Sequence, residues 1–216
     1  MPTLLLRLQG PMQSWGTTSR FDERDTQLEP SKSGVLGLIC AALGRDRSAP
    51  LEDLAVLRMG VRVDREGVPM RDYQTATGVL LATGKTDLKH TVVSPRFYLS
   101  DAVFLVGLEG ADTVLLECLQ AALRAPVWSL ALGRKSYVPS MPVALPDALR
   151  QTDLLSALRT YPALIAPQGA SWRLALEDTR EGSMRLDQPV GPFAERRFGP
   201  RFVKQEVMHV PDPIDT

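Results

Sequence analysis

Leu4, Leu6 and Leu8 alternate with Leu5, Arg7 and Gln9 at the start of the chain, a period of two that predicts a strand. Residues 10–32 then pass through GPMQSWG and the polar run FDERDTQLEPSK with no apolar period. They are predicted as loop, and a loop that long inside a compact domain usually has a function. A helix follows, capped by Ser31 or Ser33, with Val35, Leu38, Ile39 and Ala42 at helical spacing and Gly44 to end it. Leu57, Met59, Val61 and Val63 alternate with Arg58, Gly60, Arg62 and Asp64, which predicts a second strand with one apolar and one basic face. The turn Asp64–Gly67 opens a stretch rich in Thr, Gly and basic residues, read as an extended hairpin or arm with a mobile tip near Gly84–His90. A third strand is predicted over Ala102–Leu108. Asp112 then caps a helix whose apolar stripe is Val114, Leu115, Cys118, Leu119 and Ala122, stopped by Pro126, and Val127–Leu132 is predicted as the fourth strand.

This order of strand, helix, strand, strand, helix, strand is the ferredoxin-like (RRM-type) βαββαβ arrangement, an α+β fold with two helices on one face of an antiparallel sheet. It is compatible with RNA binding, although the aromatic strand signature of a standard RRM is absent and base stacking on the sheet is not expected. After Ser140 the chain turns Pro-rich, and only Trp172–Leu176 and Phe202–Val207 suggest strands. The predicted organisation is a domain over residues 1–140 with a hairpin inserted at about 65–97, and a small β-rich C-terminal appendage over 141–216.

With 216 residues, 44% of them hydrophobic, the chain can bury a sizeable core. No apolar run reaches the roughly 18 residues that span a bilayer, and the N-terminus lacks a secretory leader, so a cytoplasmic protein without membrane contact is expected. Cys40 and Cys118, each inside a predicted helix, read as buried reduced thiols, and nothing suggests a metal or other cofactor. The formal net charge is zero, which argues against a free-standing nucleic-acid binder acting through a general basic field. Charge is nevertheless segregated. Arg180, Arg185, Arg196, Arg197, Arg201 and Lys204 cluster late in the chain, whereas Asp101, Glu109, Asp112 and Glu117 face Arg124 alone.

Four stretches carry the candidate chemistry. Leu6–Gly16 leaves a strand through Gly10-Pro11 into Gln13, Ser14 and Trp15. Pro30–Gly37 puts Ser31, Lys32, Ser33 and Gly34 at a helix N-terminus, where free N–H groups and the dipole favour phosphate. The same residues read equally well as simple caps and as glycines for tight helix packing. Together these two stretches, with Arg96–Ala102 and Leu132–Tyr137 in the same order, resemble the CasD family, a RAMP-superfamily branch of type I-E CRISPR Cascade subunits. The resemblance implies a role without a reaction. Such a subunit holds the 5′ handle of the crRNA, caps the filament of CasC backbone subunits and adjoins the large subunit CasA, and it meets target DNA within the assembled complex. It also implies that the inserted hairpin is a thumb, with Arg71, Lys85 and Lys89 on it. The resemblance thins after residue 140.

A single-stranded handle calls for point charges, hydrogen-bond donors and a few planar groups. Lys32, Arg134 and Lys135 can supply charge. Gln13, Ser14, Ser31, Ser33 and Ser136 can supply hydrogen bonds, and Trp15 and Tyr137 can stack or instead pack inside. Arg58, Arg62 and Arg71 are weaker candidates, because a solvated strand face explains them as well. One competing reading is a metal-independent endoribonuclease that processes pre-crRNA, as in the type I-C relative, with His90 as base and Lys89 as the charge stabiliser. His209 reads as structural. A third reading is an adaptor that binds only protein and no longer touches RNA.

Overall fold

A computed structural model describes residues 1–17, 23–80, 84, 86 and 91–210. The elements in chain order are β1 (Thr3–Gln9), β2 (Met12–Gln13), α1 (Lys32–Leu43), α2 (Glu52–Ala55), β3 (Arg58–Arg65), β4 (Val68–Thr77) and β5 (Thr91–Ser100). They continue with β6 (Val103–Glu109), α3 (Thr113–Arg124), β7 (Ala144–Arg150), α4 (Leu154–Thr160), β8 (Ser171–Asp178), β9 (Ser183–Pro189) and β10 (Phe198–His209). The result is a mixed α+β structure with two antiparallel sheets. The larger runs β7-β1-β6-β3-β8-β10-β9 and the smaller β2-β5-β4.

β1 sits inside the large sheet, with Leu4, Leu5, Leu6 and Leu8 fully buried. Each such leucine stabilises the fold by about 2 kcal/mol relative to exposure. Burial of successive residues means that the sheet is covered on both faces. α1 and α3 pack on each other, and α3 also packs on β1 and β7. α4 lies over β1, β3 and β6, seated by two glycines. A Cβ at Gly107 would come within 2.6 Å of Leu154 Cδ1, and one at Gly60 within 2.9 Å of Leu158 Cδ1.

The helix ends follow the local chemistry. Gly44 ends α1 in the left-handed region at φ 70°, and the Asp112 carboxylate caps α3 by accepting from Leu115 N at 3.0 Å. The apolar stripe of α3 is rotated by one residue from the predicted one, with Leu116, Leu119 and Leu123 buried and Val114 exposed. Cys118 therefore lies on the solvent side, contrary to its expected burial. Cys40 is buried, which pushes its thiol up to about 11.

The chain beyond residue 126 departs most from expectation. Val127–Leu132 is not a strand: Val127 N and Trp128 N donate to the carbonyls of Ala42 and Ala41, so this backbone is spent on the end of α1. The strand beside β1 is β7. It lies in the Pro-rich stretch, and its register slips between Leu4 and Leu6. Pro146 is tolerated because β7 is an edge. Nor is the C-terminal third an appendage packed on a finished domain, since β8 pairs with β3 and continues the same sheet across residue 140.

The arm between the second and third predicted strands is a long antiparallel hairpin, β4 with β5, in unbroken register from Val68↔Ser100 to Thr77↔Thr91. β2 pins its base through Met12↔Ser100 and Gln13↔Leu99. Lys85, Lys89 and His90 lie outside the described residues.

Candidate nucleic-acid interface

The four stretches singled out in the sequence do converge, but largely through internal contacts. Gln13 is buried, its Nε2 donating to Ala102 O at 2.8 Å and Leu8 O at 3.2 Å, while its Oε1 accepts from Trp15 Nε1 at 3.2 Å. Ser14 Oγ donates to Phe97 O at 3.1 Å, and Ser14 N to Leu132 O at 3.1 Å. Trp15 is buried against Gly34, where a Cβ would stand 2.8 Å from the ring's Cε3. Gly133, at φ 91°, presses so close that a Cβ would fall 1.7 Å from Ser14 O, so only glycine closes this corner. Trp15 and Gln13 are thus corrected from candidate RNA contacts to a buried, hydrogen-bonded corner. Tyr137 is buried too, 6.0 Å from the Tyr98 ring, with its hydroxyl accepting from Arg134 Nη1 at 2.8 Å.

Lys32 requires the largest correction. It is 1% exposed, and its Nζ donates to Glu177 Oε1 at 2.9 Å. The helix N-terminus read as a phosphate seat already holds an anion: Lys32 N donates to Asp187 Oδ2 at 2.8 Å, and Arg201 grips the same carboxylate through Nε (2.6 Å) and Nη2 (2.8 Å). Burial pulls the Lys32 ammonium below its ordinary value, opposed by Glu177. Ser31 is buried and its hydroxyl makes no cap bond; Ser33 is half-buried. A second network holds the loop just ahead. Glu29, buried, accepts from Arg173 Nη1 at 2.9 Å and pairs with Arg185. Burial alone would raise its carboxyl, but Arg185 and Arg173 outweigh it and hold the group below 4.5. Much of the late basic cluster is therefore neutralised, with Lys204 on Glu181 and Arg197 on Glu195 as well.

The basic face predicted for β3 is also internal. Arg62 is 0% exposed, doubly bonded to Asp64 (2.7 and 2.9 Å), and donates to the carbonyls of Leu158, Tyr161 and Pro162. Its guanidinium lies 4.1 Å from the Trp172 ring centroid. Arg58 stays half-exposed beside Glu109.

Among the described residues of the four stretches and their neighbours, a basic cluster remains accessible. Residue 24 runs beside β5: Arg24 N donates to Pro95 O at 2.9 Å and Phe97 N to Arg24 O at 2.8 Å, which brings Arg24 alongside Arg96. Arg134 Nη2 reaches both Arg24 O (3.2 Å) and Phe97 O (3.0 Å), and Lys135 and Ser136 follow it, exposed. Arg96 Nε is buried and makes no hydrogen bond among the described residues. Asp72 stands opposite Arg96 across the hairpin. Arg71 and Tyr73 lie exposed along β4, Tyr73 at 64%. Arg24 and Arg96 were not among the predicted contacts, because nothing in an aperiodic loop signals which strand it will lie beside.

Residues 3–204 match the family model for CRISPR-associated protein Cas5. The chain belongs to the Cas5 family. This Cas5 chain is 34% identical over 171 residues to the CRISPR system Cascade subunit CasD of Escherichia coli strain K12, covering 73% of its own length and 76% of that protein. A solved structure described as a Cas protein superposes with a TM-score of 0.80 at 53% identity, over 96% of this chain and 95% of that one. A chain of a CRISPR RNA-guided surveillance complex gives the same TM-score at 34% identity, over 97% and 91%.

Proposed function

We propose that this Cas5 chain is a non-catalytic Cascade subunit in CRISPR antiviral defence, holding the 5′ handle of the crRNA, and that the cluster of Arg24, Arg96, Arg134 and Lys135 receives its phosphates. The observation that carries the reading is the 34% identity and TM-score of 0.80 to a chain of an RNA-guided surveillance complex over nearly the whole length. The strand order β7-β1-β6-β3 with α1 and α3 supports a ferredoxin-like core, onto which β8, β9 and β10 are added. The β4–β5 hairpin is the thumb, and it rises beside the basic cluster, so one strand of RNA can run past both. The neighbours are the CasC filament and CasA, with target DNA entering the assembled complex, and the work is done in the cytoplasm.

The chemistry fits a holder. The Arg134 guanidinium, bonded to two backbone carbonyls, is fixed in place before RNA arrives, and Arg96 keeps a buried donor with no partner among the described residues. The test is assembly with the other Cascade subunits and guide RNA, followed by a salt wash. Arg24→Ala with Lys135→Ala releases guide at lower salt than the parent, and unchanged retention overturns the assignment. Incubation of the chain with guide precursor in EDTA leaves the RNA intact; cleavage abolished by His90→Ala establishes the endoribonuclease instead.

A further inference from the structure

We infer that Tyr137 is a positioning residue for RNA: its buried hydroxyl holds the Arg134 guanidinium in the conformation that receives a phosphate, and the tyrosine itself touches no RNA. The inference rests on the RNA-holding reading and deepens it at a residue outside the basic cluster. Arg134 and Tyr137 belong to one closed turn. Leu132 N donates to Tyr137 O and Tyr137 N to Arg134 O, each at 2.8 Å. The buried side chains of Leu132 and Tyr137 anchor the turn, while Lys135 and Ser136 stay exposed at its tip. The Tyr137 ring packs 6.0 Å from the Tyr98 ring, and its centroid lies 5.4 Å from Arg134 Cζ.

The hydroxyl adds what the ring cannot. A buried phenol needs a hydrogen-bond partner, and among the described residues this one has Arg134 Nη1 alone, at 2.8 Å. That bond completes a grip from three sides, since Arg134 Nη2 donates to Arg24 O at 3.2 Å and to Phe97 O at 3.0 Å. The three oxygens come from the turn itself, from the segment beside β5 and from β5, so together they fix both the plane and the direction of the guanidinium. None of them is a carboxylate, so the positive charge is held without being neutralised. The Nε proton and the second Nη1 proton have no acceptor among the described residues and are left for a phosphate. An arginine ordered before its ligand arrives loses less rotamer entropy on binding, and the bond to Tyr137 contributes through that saving.

Tyr137→Phe keeps the ring and its packing and removes only the hydroxyl. In the complex assembled with the other Cascade subunits and guide RNA, the expected result is guide release roughly fivefold faster at fixed salt. The thermal midpoint of the chain and the slope of log release rate against log salt stay unchanged, because no charge is lost. Arg134→Ala also speeds release, but lowers that slope by about 1. Adding Tyr137→Phe to Arg134→Ala changes release no further, since the hydroxyl acts only through the guanidinium. A Tyr137→Phe complex that releases guide like the parent overturns the inference. So does a loss that adds in full to that of Arg134→Ala, or one seen only with a lowered thermal midpoint, either of which assigns the hydroxyl to the fold alone. Failure of the RNA-holding reading is separable. Early release by Arg24→Ala with Lys135→Ala, but not by Tyr137→Phe, removes only the role of Tyr137, whereas unchanged retention in every variant overturns both.

Discussion

Among the residues, burial decides which cations are left open to a ligand and which hold the fold. Lys32 belongs to the second group. Replacing it with Met leaves Glu177 without its ammonium while the backbone N–H bond to Asp187 is kept, and breaking a buried pair of this kind costs about 3–5 kcal/mol. Urea denaturation should show that loss, while guide retention per folded molecule stays unchanged. Lys135→Ala should do the reverse, leaving stability within about 0.5 kcal/mol and lowering the slope of log affinity against log salt by about 1. Glu29 adds a pH signature. Its folded carboxyl titrates below the ordinary 4.5, so its contribution is complete above that value and disappears as pH falls through the folded value. The stability gap between parent and Glu29→Gln is therefore flat above about pH 5 and closes in more acid solution.

Elements were readable from sequence where the pattern was local and hidden where a distant partner decided. β1, α1, β3 and α3 were legible because alternation, caps and helical spacing are local signals. β7 was not, since Pro146 and a slipped register mask the period, and Val127–Leu132 resembles a strand although its first two N–H groups serve α1. Arg62 shows the same limit. Alternation placed it opposite Met59, Val61 and Val63, but only α4 and Trp172, both distant in sequence, reveal that this second face is also interior. Arg62→Met removes the donor that ties β3 to the carbonyls at 158, 161 and 162. Residues 158–164 should then exchange amide hydrogens faster, with global stability down by about 3–5 kcal/mol. Unchanged exchange there would mean that packing of Leu154 and Leu158 alone holds α4.

Across the whole molecule, 25 basic residues balance 25 acidic ones, and many of them pair internally, but a small basic patch stays on the surface. That patch arises where the 23–27 segment, β5 and the 133–137 loop meet, so it was not visible in any one motif, although Arg134 and Lys135 were among the predicted contacts. The continuous sheet makes a further prediction. A fragment ending at residue 140 lacks β7 beside β1 and β8 beside β3, exposing both edges of the central strands. It should fail to unfold cooperatively in a thermal melt, whereas an independent domain would show a sharp transition.

The clasp on Lys32 has a consequence for how the protein is made. Its partners Glu177, Asp187 and Arg201 leave the ribosome long after it does, roughly 170 residues for the last of them, or on the order of 10–30 s at usual synthesis rates. During that interval the first helix can pack on α3, but its lysine has no carboxylate to bury against. Closure of the α1 N-terminus is thus tied to arrival of the final strands.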